Sequence, residues 1–172
     1  MQICLVRSLT HFVAIGALLR EYAEAMAYQT CFATLEQEIA GLPGAYAPPD
    51  GALLLAEVDG EPAGCIGLVK ADDTRPPESC SSLASGEDPS TTAEMVRLWV
   101  RPQFRGQGIG LALVRALLAR ARDIGYVHIV LETLPERMEK AVALYRSLGF
   151  AEQMVIGASD AANRVLRMAI NL

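Results

Sequence analysis

The spacing of apolar residues along this chain follows two periods. Alternating apolar and polar residues, or a short apolar run bounded by turn residues, predict a strand, whereas apolar residues at every third or fourth position predict an amphipathic helix. The strand pattern occurs in seven segments, at 2–7, 52–58, 64–69, 94–100, 127–133, 152–156 and 165–170. The helix pattern occurs in four, at 10–28, 35–39, 109–124 and 136–148. The resulting order, β-α-α-β-β-β-α-β-α-β-β, predicts an α/β domain around a mixed sheet.

Turn-forming and capping residues separate these elements. Thr10 is a predicted N-cap of the first helix, because its hydroxyl can accept a hydrogen bond from the first helical turn. Asp59 and Gly60 tolerate positive φ and predict the turn of a hairpin. Residues 71–92 are rich in serine, proline and acidic residues with almost no apolar period. They predict a long loop, either a surface insertion or a lid over a substrate site.

Regular alternation in strand 94–100 predicts two distinct faces. One face would carry Val96, Leu98 and Val100, and the other Met95, Arg97 and Trp99. Three aromatic residues lie in or near this strand, namely Trp99, Phe104 and Tyr126. We expect all three to pack against other side chains rather than to line a pocket.

Composition indicates one globular domain spanning residues 1–172. Apolar residues make up 52% of the chain and charged residues 20%, a balance typical of a folded core. No apolar run reaches the roughly 20 residues that cross a bilayer. The first residues lack the basic and apolar regions of a signal peptide. We therefore expect a cytoplasmic protein with no membrane partner.

Cysteine and histidine positions predict no metal site. The four cysteines are scattered without C-x-x-C spacing, which argues against zinc or a disulfide framework and fits a reducing compartment. His11 and His128 stand apart from the cysteines and from each other in the sequence. We expect both to be ordinary histidines.

The charge of the chain argues against a nucleic-acid partner. The formal net charge is −5, whereas duplex binding depends on clustered lysine and arginine that neutralise phosphates. This charge favours a cationic amine over an acidic substrate. A local exception surrounds residues 97–122, where six arginines face the single acid Asp123. Such a cluster is compatible with a small anionic ligand.

The same region contains the stretch R-P-Q-F-R-G-Q-G-I-G, at 101–110, between a predicted strand and a predicted helix. The first-turn N–H groups of a helix have no intrahelical partners and lie at the positive end of the helix dipole. Glycines allow an anion to approach these amides and permit positive φ. The segment therefore predicts a phosphate or pyrophosphate site.

Two common nucleotide-binding patterns do not fit this segment. The string G-x-x-x-x-G-K-[ST] does not occur, and G-x-G-x-x-[GA] fails at Leu111 or Leu113. The pattern R-x-x-G-x-G fits Arg105, Gly108 and Gly110. Together with A-V-A-L-Y-R-S-L-G-F at 141–150, it resembles the GNAT superfamily of acyl-CoA-dependent N-acetyltransferases. That resemblance implies a mixed, mostly antiparallel central sheet flanked by helices.

The resemblance also implies how acetyl-CoA is held. The CoA pyrophosphate would be wrapped by backbone amides, those of Arg105, Gly106, Gln107, Gly108, Ile109 and Gly110. The pantetheine arm, which contains two amides, would pair with the backbone of Leu98 and Val100 as an added strand does. Arg101, Arg105 and Arg115 are candidates for the ribose phosphate, or point to solvent.

Two side chains are implied as catalytic. Tyr145 matches the family tyrosine that meets the CoA sulfur, and Glu94 stands where some members place a glutamate that accepts the proton of the amine. Other members use water relays, and Glu132 is a weaker alternative to Glu94. Met138 stands where many relatives have an asparagine that contacts CoA, so that contact is not carried over.

The resemblance therefore predicts an N-acetyltransferase that moves an acetyl group from acetyl-CoA to an amine of a small molecule or peptide. Direct transfer in a ternary complex is expected, because no cysteine or serine stands in a nucleophile motif. The alternative is an acyl-CoA-binding or sensor domain without catalysis. Family members often form homodimers, although no feature of this sequence establishes one.

Overall fold

A computed structural model describes residues 1–26, 34–71, 88–153 and 165–172 of the chain. The strands are β1 (Gln2–Leu5), β2 (Ala52–Val58), β3 (Glu61–Lys70), β4 (Thr92–Val100), β5 (His128–Thr133), β6 (Ala151–Gln153) and β7 (Leu166–Asn171). They form one sheet in the spatial order β1-β2-β3-β4-β5-β7-β6. The α-helices are α1 (Leu9–Met26), α2 (Leu35–Ala40), α3 (Ile109–Ile124) and α4 (Glu139–Ser147).

Strand pairing confirms the predicted fold class. β4 and β5 are parallel, and every other neighbouring pair in the sheet is antiparallel. The chain order of strands and α-helices is the one that the apolar pattern predicts. Asp59 and Gly60 form the predicted hairpin turn, with φ values of 51° and 81°.

Helices cover both faces of the sheet. On one face, α3 and α4 pack through an apolar cluster that includes Leu113, Leu117 and Tyr145. On the other face, α1 and α2 pack through a second cluster that includes Leu19 and Leu35. None of the described helices combines the length and the apolar character needed to cross a bilayer.

A β-bulge interrupts β4 and makes the predicted alternation wrong. One extra residue is inserted in β4 relative to its antiparallel partner β3, and Arg97 there has a φ of 58°, a value uncommon outside glycine. A bulge changes the face on which the following residues lie. As a result Val96 packs with the α1 face, while Leu98 and Val100 pack with the α3 face.

Two helix starts also differ from prediction. The backbone N–H of His11 donates to Ser8 Oγ (3.2 Å), so Ser8 rather than Thr10 caps α1. α4 begins three residues late because the N–H of Met138 donates to the carbonyl of Leu134 (2.9 Å) in a separate turn. Most of the predicted loop, residues 72–87, lies outside the described residues, as does the predicted strand beyond 153.

Candidate functional site

β4 and β5 are paired over only a short distance, which leaves the sheet open between them. Their parallel register runs from Thr92 opposite His128 to Glu94 opposite Val130. β4 continues beyond Glu94 for six residues, and within the described chain these have no register partner in β5. The opening faces the carboxyl end of β4, where the glycine-rich segment begins.

The backbone of Leu98 and Val100 is directed toward this opening. The N–H of Arg101 donates to the carbonyl of Ala63 in β3 (2.9 Å). Backbone groups of successive strand residues point to opposite edges, so those of Leu98 and Val100 point away from β3. This is the edge that strand-like pairing with an amide-bearing ligand requires.

The glycine-rich segment forms a tight loop at the start of α3. It follows a 3₁₀ turn at Pro102–Phe104, and Gly106 and Gly108 have φ values of 80° and 78°. No acidic residue lies in the first turn of α3. Within the described chain, the backbone N–H groups of residues 106–111 have no backbone acceptor. A loop of unpartnered amides at a helix N-terminus is suited to bind an anion.

Three predicted parts of the site meet at Gly110. A methyl group placed on Gly110 would lie 3.7 Å from Leu144 Cδ2 of α4 and 3.9 Å from Val100 Cγ2 of β4. The end of β4, the start of α3 and the middle of α4 therefore converge. Of the other predicted loop residues, Gln107 is exposed and Ile109 is buried in the core.

Arg105 is folded back over the end of β4. Its Nε donates to the carbonyl of Val100 (2.9 Å), and its guanidinium carbon lies 4.7 Å from the centroid of the Trp99 ring. Its backbone N–H donates to the carbonyl of Pro102 (3.2 Å), so the amides beyond Arg105 are the unpartnered ones.

Arg101 is not available as a phosphate ligand in this structure. Its Nε and a terminal nitrogen donate to the carboxylate of Glu21 in α1 at 2.8–3.2 Å. Another terminal nitrogen donates to the carbonyl of Pro62 (2.7 Å). The Arg101 side chain is 17% exposed and serves to join α1 to the sheet. Arg115 is exposed on α3.

Tyr145 is buried in α4, beside the convergence point. Burial raises the pKa of its hydroxyl above the ordinary value, and the nearby Tyr22 of α1 raises it further. The Tyr22 ring stacks on Trp99, with centroids 5.2 Å apart, and its hydroxyl donates to Met138 Sδ (3.9 Å). Tyr145 therefore belongs to the α3-side core but is electrostatically coupled to a helix on the opposite face of the sheet.

The two candidate bases lie on one face of the sheet. Glu94 is buried in β4 opposite Val130, and Glu132 lies two residues further along β5. Arg167 of β7 is directly opposite Glu132 and is also buried. Because side chains two residues apart in a strand share a face, Glu94 and Glu132 point to the same side as α1.

A partly buried ionic network that the sequence did not predict holds the bulge. Arg97 donates from Nε to Glu38 Oε1 (3.1 Å) and from a terminal nitrogen to Glu38 Oε2 (2.6 Å). The hydroxyl of Tyr46 donates to Glu38 Oε1 (2.5 Å), and the Tyr46 ring packs against Gly67 of β3. A polar residue at the centre of β4 is the only signal in the sequence for this network, and it does not identify Glu38 as the partner.

Comparison with known proteins identifies the family of this arrangement. The acetyltransferase (GNAT) family model matches residues 13–150. An uncharacterized N-acetyltransferase of Schizosaccharomyces pombe is 32% identical over 133 residues, which cover 77% of this chain and 72% of that protein. N-acetyltransferase family 8 member 2 of Rattus norvegicus is 33% identical over 67% of this chain. The chain spans about half of that relative, or 46% of its length.

A solved structure shares the fold. The crystal structure of an aminoglycoside 6'-N-acetyltransferase complexed with coenzyme A superposes with a TM-score of 0.69. The superposition covers 99% of this chain and 97% of that one, at 17% identity. At that identity the likeness extends to the fold alone.

Proposed function

This chain belongs to the GNAT acetyltransferase family and is an acetyl-CoA-dependent N-acetyltransferase, and we propose that it acetylates an amine of a small molecule or peptide by direct transfer in a ternary complex. The observation that carries this proposal is the convergence at Gly110. There the anion-binding loop, the open edge of β4 and the helix bearing Tyr145 come together.

We assign acetyl-CoA to the opening between β4 and β5. The pyrophosphate would accept hydrogen bonds from the amides of the loop, of which Gly106, Gln107, Gly108, Ile109 and Gly110 lack a backbone acceptor. The pantetheine amides would pair with Leu98 and Val100. The Val100 carbonyl accepts one hydrogen bond from Arg105 Nε in this structure and has a second lone pair for a pantetheine N–H.

We assign Glu94 as the group that accepts the proton of the acceptor amine. An alkylammonium has a pKa of about 10, so the amine is mostly protonated near pH 7 and cannot attack a thioester until it loses that proton. Glu94 brings a carboxylate to the α1 face of the sheet beside the opening, whereas Glu132 lies opposite the buried Arg167. The net charge of −5 favours a cationic amine as acceptor.

We assign Tyr145 as the hydrogen-bond donor to the departing CoA sulfur. Its raised pKa keeps the phenol neutral at pH 7, so it retains a proton to donate. A thiol has a pKa of about 8.5, below that of the phenol, so complete proton transfer to the thiolate is uphill. Tyr145 therefore stabilises the developing thiolate through a hydrogen bond and keeps its own proton. The released CoA thiolate takes up a proton from solvent when the pH is below the pKa of the thiol.

Two-substrate kinetics test direct transfer. Initial rates of CoA release, measured while acetyl-CoA and an accepted amine are varied, should give intersecting double-reciprocal lines. The intact mass of the protein incubated with acetyl-CoA alone should show no acetyl adduct. Parallel lines together with an acetylated protein would refute the ternary complex. Acetyl-CoA binding without turnover across a broad amine panel would instead identify a binding or sensor domain.

A further inference from the structure

We propose that Cys4, His11 and Glu57 form a site for a divalent zinc ion on the edge of the sheet formed by β1 and β2. Cys4 lies in β1, His11 in the first turn of α1 and Glu57 near the end of β2. The Cys4 sulfur, a ring nitrogen of His11 and a carboxylate oxygen of Glu57 all lie within 4.8 Å of one another. The fold thus unites residues whose separation in the sequence gives no metal-binding motif.

Strand register explains why these side chains meet. Cys4 is opposite Leu55, and Gln2 is opposite Glu57, so Cys4 and Glu57 are diagonal neighbours on one face. The face is the one that α1 covers, because Cys4 packs against the same apolar cluster as Leu19. The cap at Ser8 then places the first turn of α1, with His11, over this pair.

His11 supplies a second observation that points to a ligand. Its Nδ1 atom is buried and, among the described residues, has no hydrogen-bond partner. A buried polar atom without a partner is unusual in a folded protein, because it loses its water without compensation. Coordination by one ring nitrogen would fix the tautomer of the imidazole and give the ring a polar partner.

The donor set favours zinc over harder cations. Thiolate, imidazole and carboxylate are all zinc ligands, at about 2.0–2.3 Å from the metal. Magnesium and calcium prefer sites made of oxygen. Ligand atoms around a four-coordinate zinc are ~3.5 Å apart, so rotation of the side chains by about 1 Å closes the observed cluster around the ion. Three protein ligands leave the fourth position to water.

Binding has a simple proton balance. Burial and the Glu57 carboxylate raise the pKa of the Cys4 thiol, so the thiol is protonated in the metal-free protein. On binding, the sulfur forms a bond to zinc and its proton passes to solvent, while a ring nitrogen of His11 and a carboxylate oxygen of Glu57 each contribute a lone pair to the metal. The same raised pKa argues against Cys4 as a nucleophile, which requires a stabilised thiolate.

Cobalt titration of the metal-free, tag-free chain tests this site, because Co²⁺ replaces zinc and reports its ligands. We expect one Co²⁺ per chain, with a thiolate-to-cobalt charge-transfer band and the strong d–d bands of four-coordinate cobalt. Added Zn²⁺ should displace the cobalt and raise the Tm. Cys4→Ser should abolish the charge-transfer band, and His11→Ala and Glu57→Gln should each weaken binding by more than about tenfold.

Matched controls carry the same changes elsewhere in the chain. Cys65→Ala, His128→Ala and Glu61→Gln should all bind cobalt as the unaltered chain does. Circular dichroism of each variant without metal separates loss of binding from loss of fold, and Glu57→Gln preserves the shape of a half-exposed side chain. Absence of one-to-one binding, or an unchanged charge-transfer band in Cys4→Ser, would overturn the proposal.

Discussion

Gly106 and Gly108 are the two residues whose backbone conformation shapes the glycine-rich loop at the start of α3. Both have φ near 80°, in the region where a Cβ clashes with its own backbone. A methyl group on either would meet no neighbouring atom within 4 Å. Their requirement for glycine is therefore conformational. At Gly110 a methyl group would lie at ordinary van der Waals distances from its neighbours, and no positive φ requires glycine there.

Alanine substitution separates these roles. Gly106→Ala and Gly108→Ala should each lower the free energy of unfolding by about 1 kcal/mol, because alanine is strained at positive φ. Each should also raise the Kd for acetyl-CoA more than tenfold, as the amides lose their alignment. Gly110→Ala should not lower stability, because a Cβ fits there without a clash and the position is helical. Urea unfolding and calorimetric titration with acetyl-CoA measure both effects. Equal stability of all three variants would contradict the conformational argument.

The role of a single residue could be predicted from the sequence where the residues that act together lie within one turn or one helix. The motif Arg105-x-x-Gly108-x-Gly110 and the partner segment around Tyr145 could be recognised because their spacing is fixed by one turn or one helix. The requirement for Gly106 only became clear from its φ value. The ion pair of Arg101 with Glu21 joins residues 80 positions apart, and no local pattern encodes such a pair.

At the scale of elements, the bulge in β4 is tied to α2 by one partly buried ion pair. Arg97 and Glu38 each have 18% of the side chain exposed. Tyr46 adds a hydrogen bond to the same carboxylate. This network fixes the position of α2 against the strand that carries Glu94, Leu98 and Val100. Its loss should therefore lower the stability of the protein and disturb the position of β4.

A matched pair of substitutions in α2 tests this anchor. Glu38→Gln should destabilise the protein by about 2–3 kcal/mol, because it removes the carboxylate charge that pairs with the partly buried Arg97 guanidinium. Glu36→Gln removes the carboxylate that pairs with Arg20 at 2.7 Å on the surface, and should have no measurable effect. Thermal and urea unfolding of the two variants give the comparison. Equal effects would mean that the Arg97–Glu38 pair is not a structural anchor.

The ends of a helix or strand could be predicted where the spacing of apolar residues and the turn-forming residues indicated the same position. α3 begins and ends at the predicted residues because Gly108 and Gly125, both with positive φ, flank it. The faces of β4 were mispredicted because a bulge has no fixed residue signature. α4 starts late because the N–H of Met138 donates to the carbonyl of Leu134 in a separate local turn, which the spacing of apolar residues does not reveal.

At the scale of the whole molecule, buried thiol and phenol groups make the free energy of unfolding depend on pH in the alkaline range. Burial raises the pKa of the Cys65 thiol from 9.0 to about 12. Burial also raises the pKa values of Tyr46 and Tyr145. Each of these groups holds its proton more tightly when folded. The stabilisation that each group contributes is complete at pH values below the pKa of that group in the unfolded chain. It declines as the pH rises above that value.

Unfolding free energies at pH 8 and pH 10 should therefore differ. Cys65 alone should account for a loss of about 1 kcal/mol between these values, since pH 10 lies one unit above the pKa of 9.0 from which burial raises this thiol. Cys65→Ala should be less stable at pH 8 because of the cavity it creates. Between pH 8 and pH 10, the free energy of unfolding of Cys65→Ala should fall by about 1 kcal/mol less than that of the wild type. An identical decline in both proteins would exclude Cys65 as the source.

The most direct measurement of the central claim is amine-dependent CoA release by the wild-type chain and by Tyr145→Phe. Tyr126→Phe is the control, since Tyr126 is also buried but its hydroxyl donates to the carbonyl of Asp50 (2.8 Å), away from the site. We predict turnover of at least one cationic amine by the wild type and by Tyr126→Phe. In Tyr145→Phe we predict a kcat lower by roughly 10²–10⁴-fold with an almost unchanged Kd for acetyl-CoA. Equal kcat values for Tyr145→Phe and the wild type would contradict the assignment of Tyr145 as the donor to the leaving sulfur.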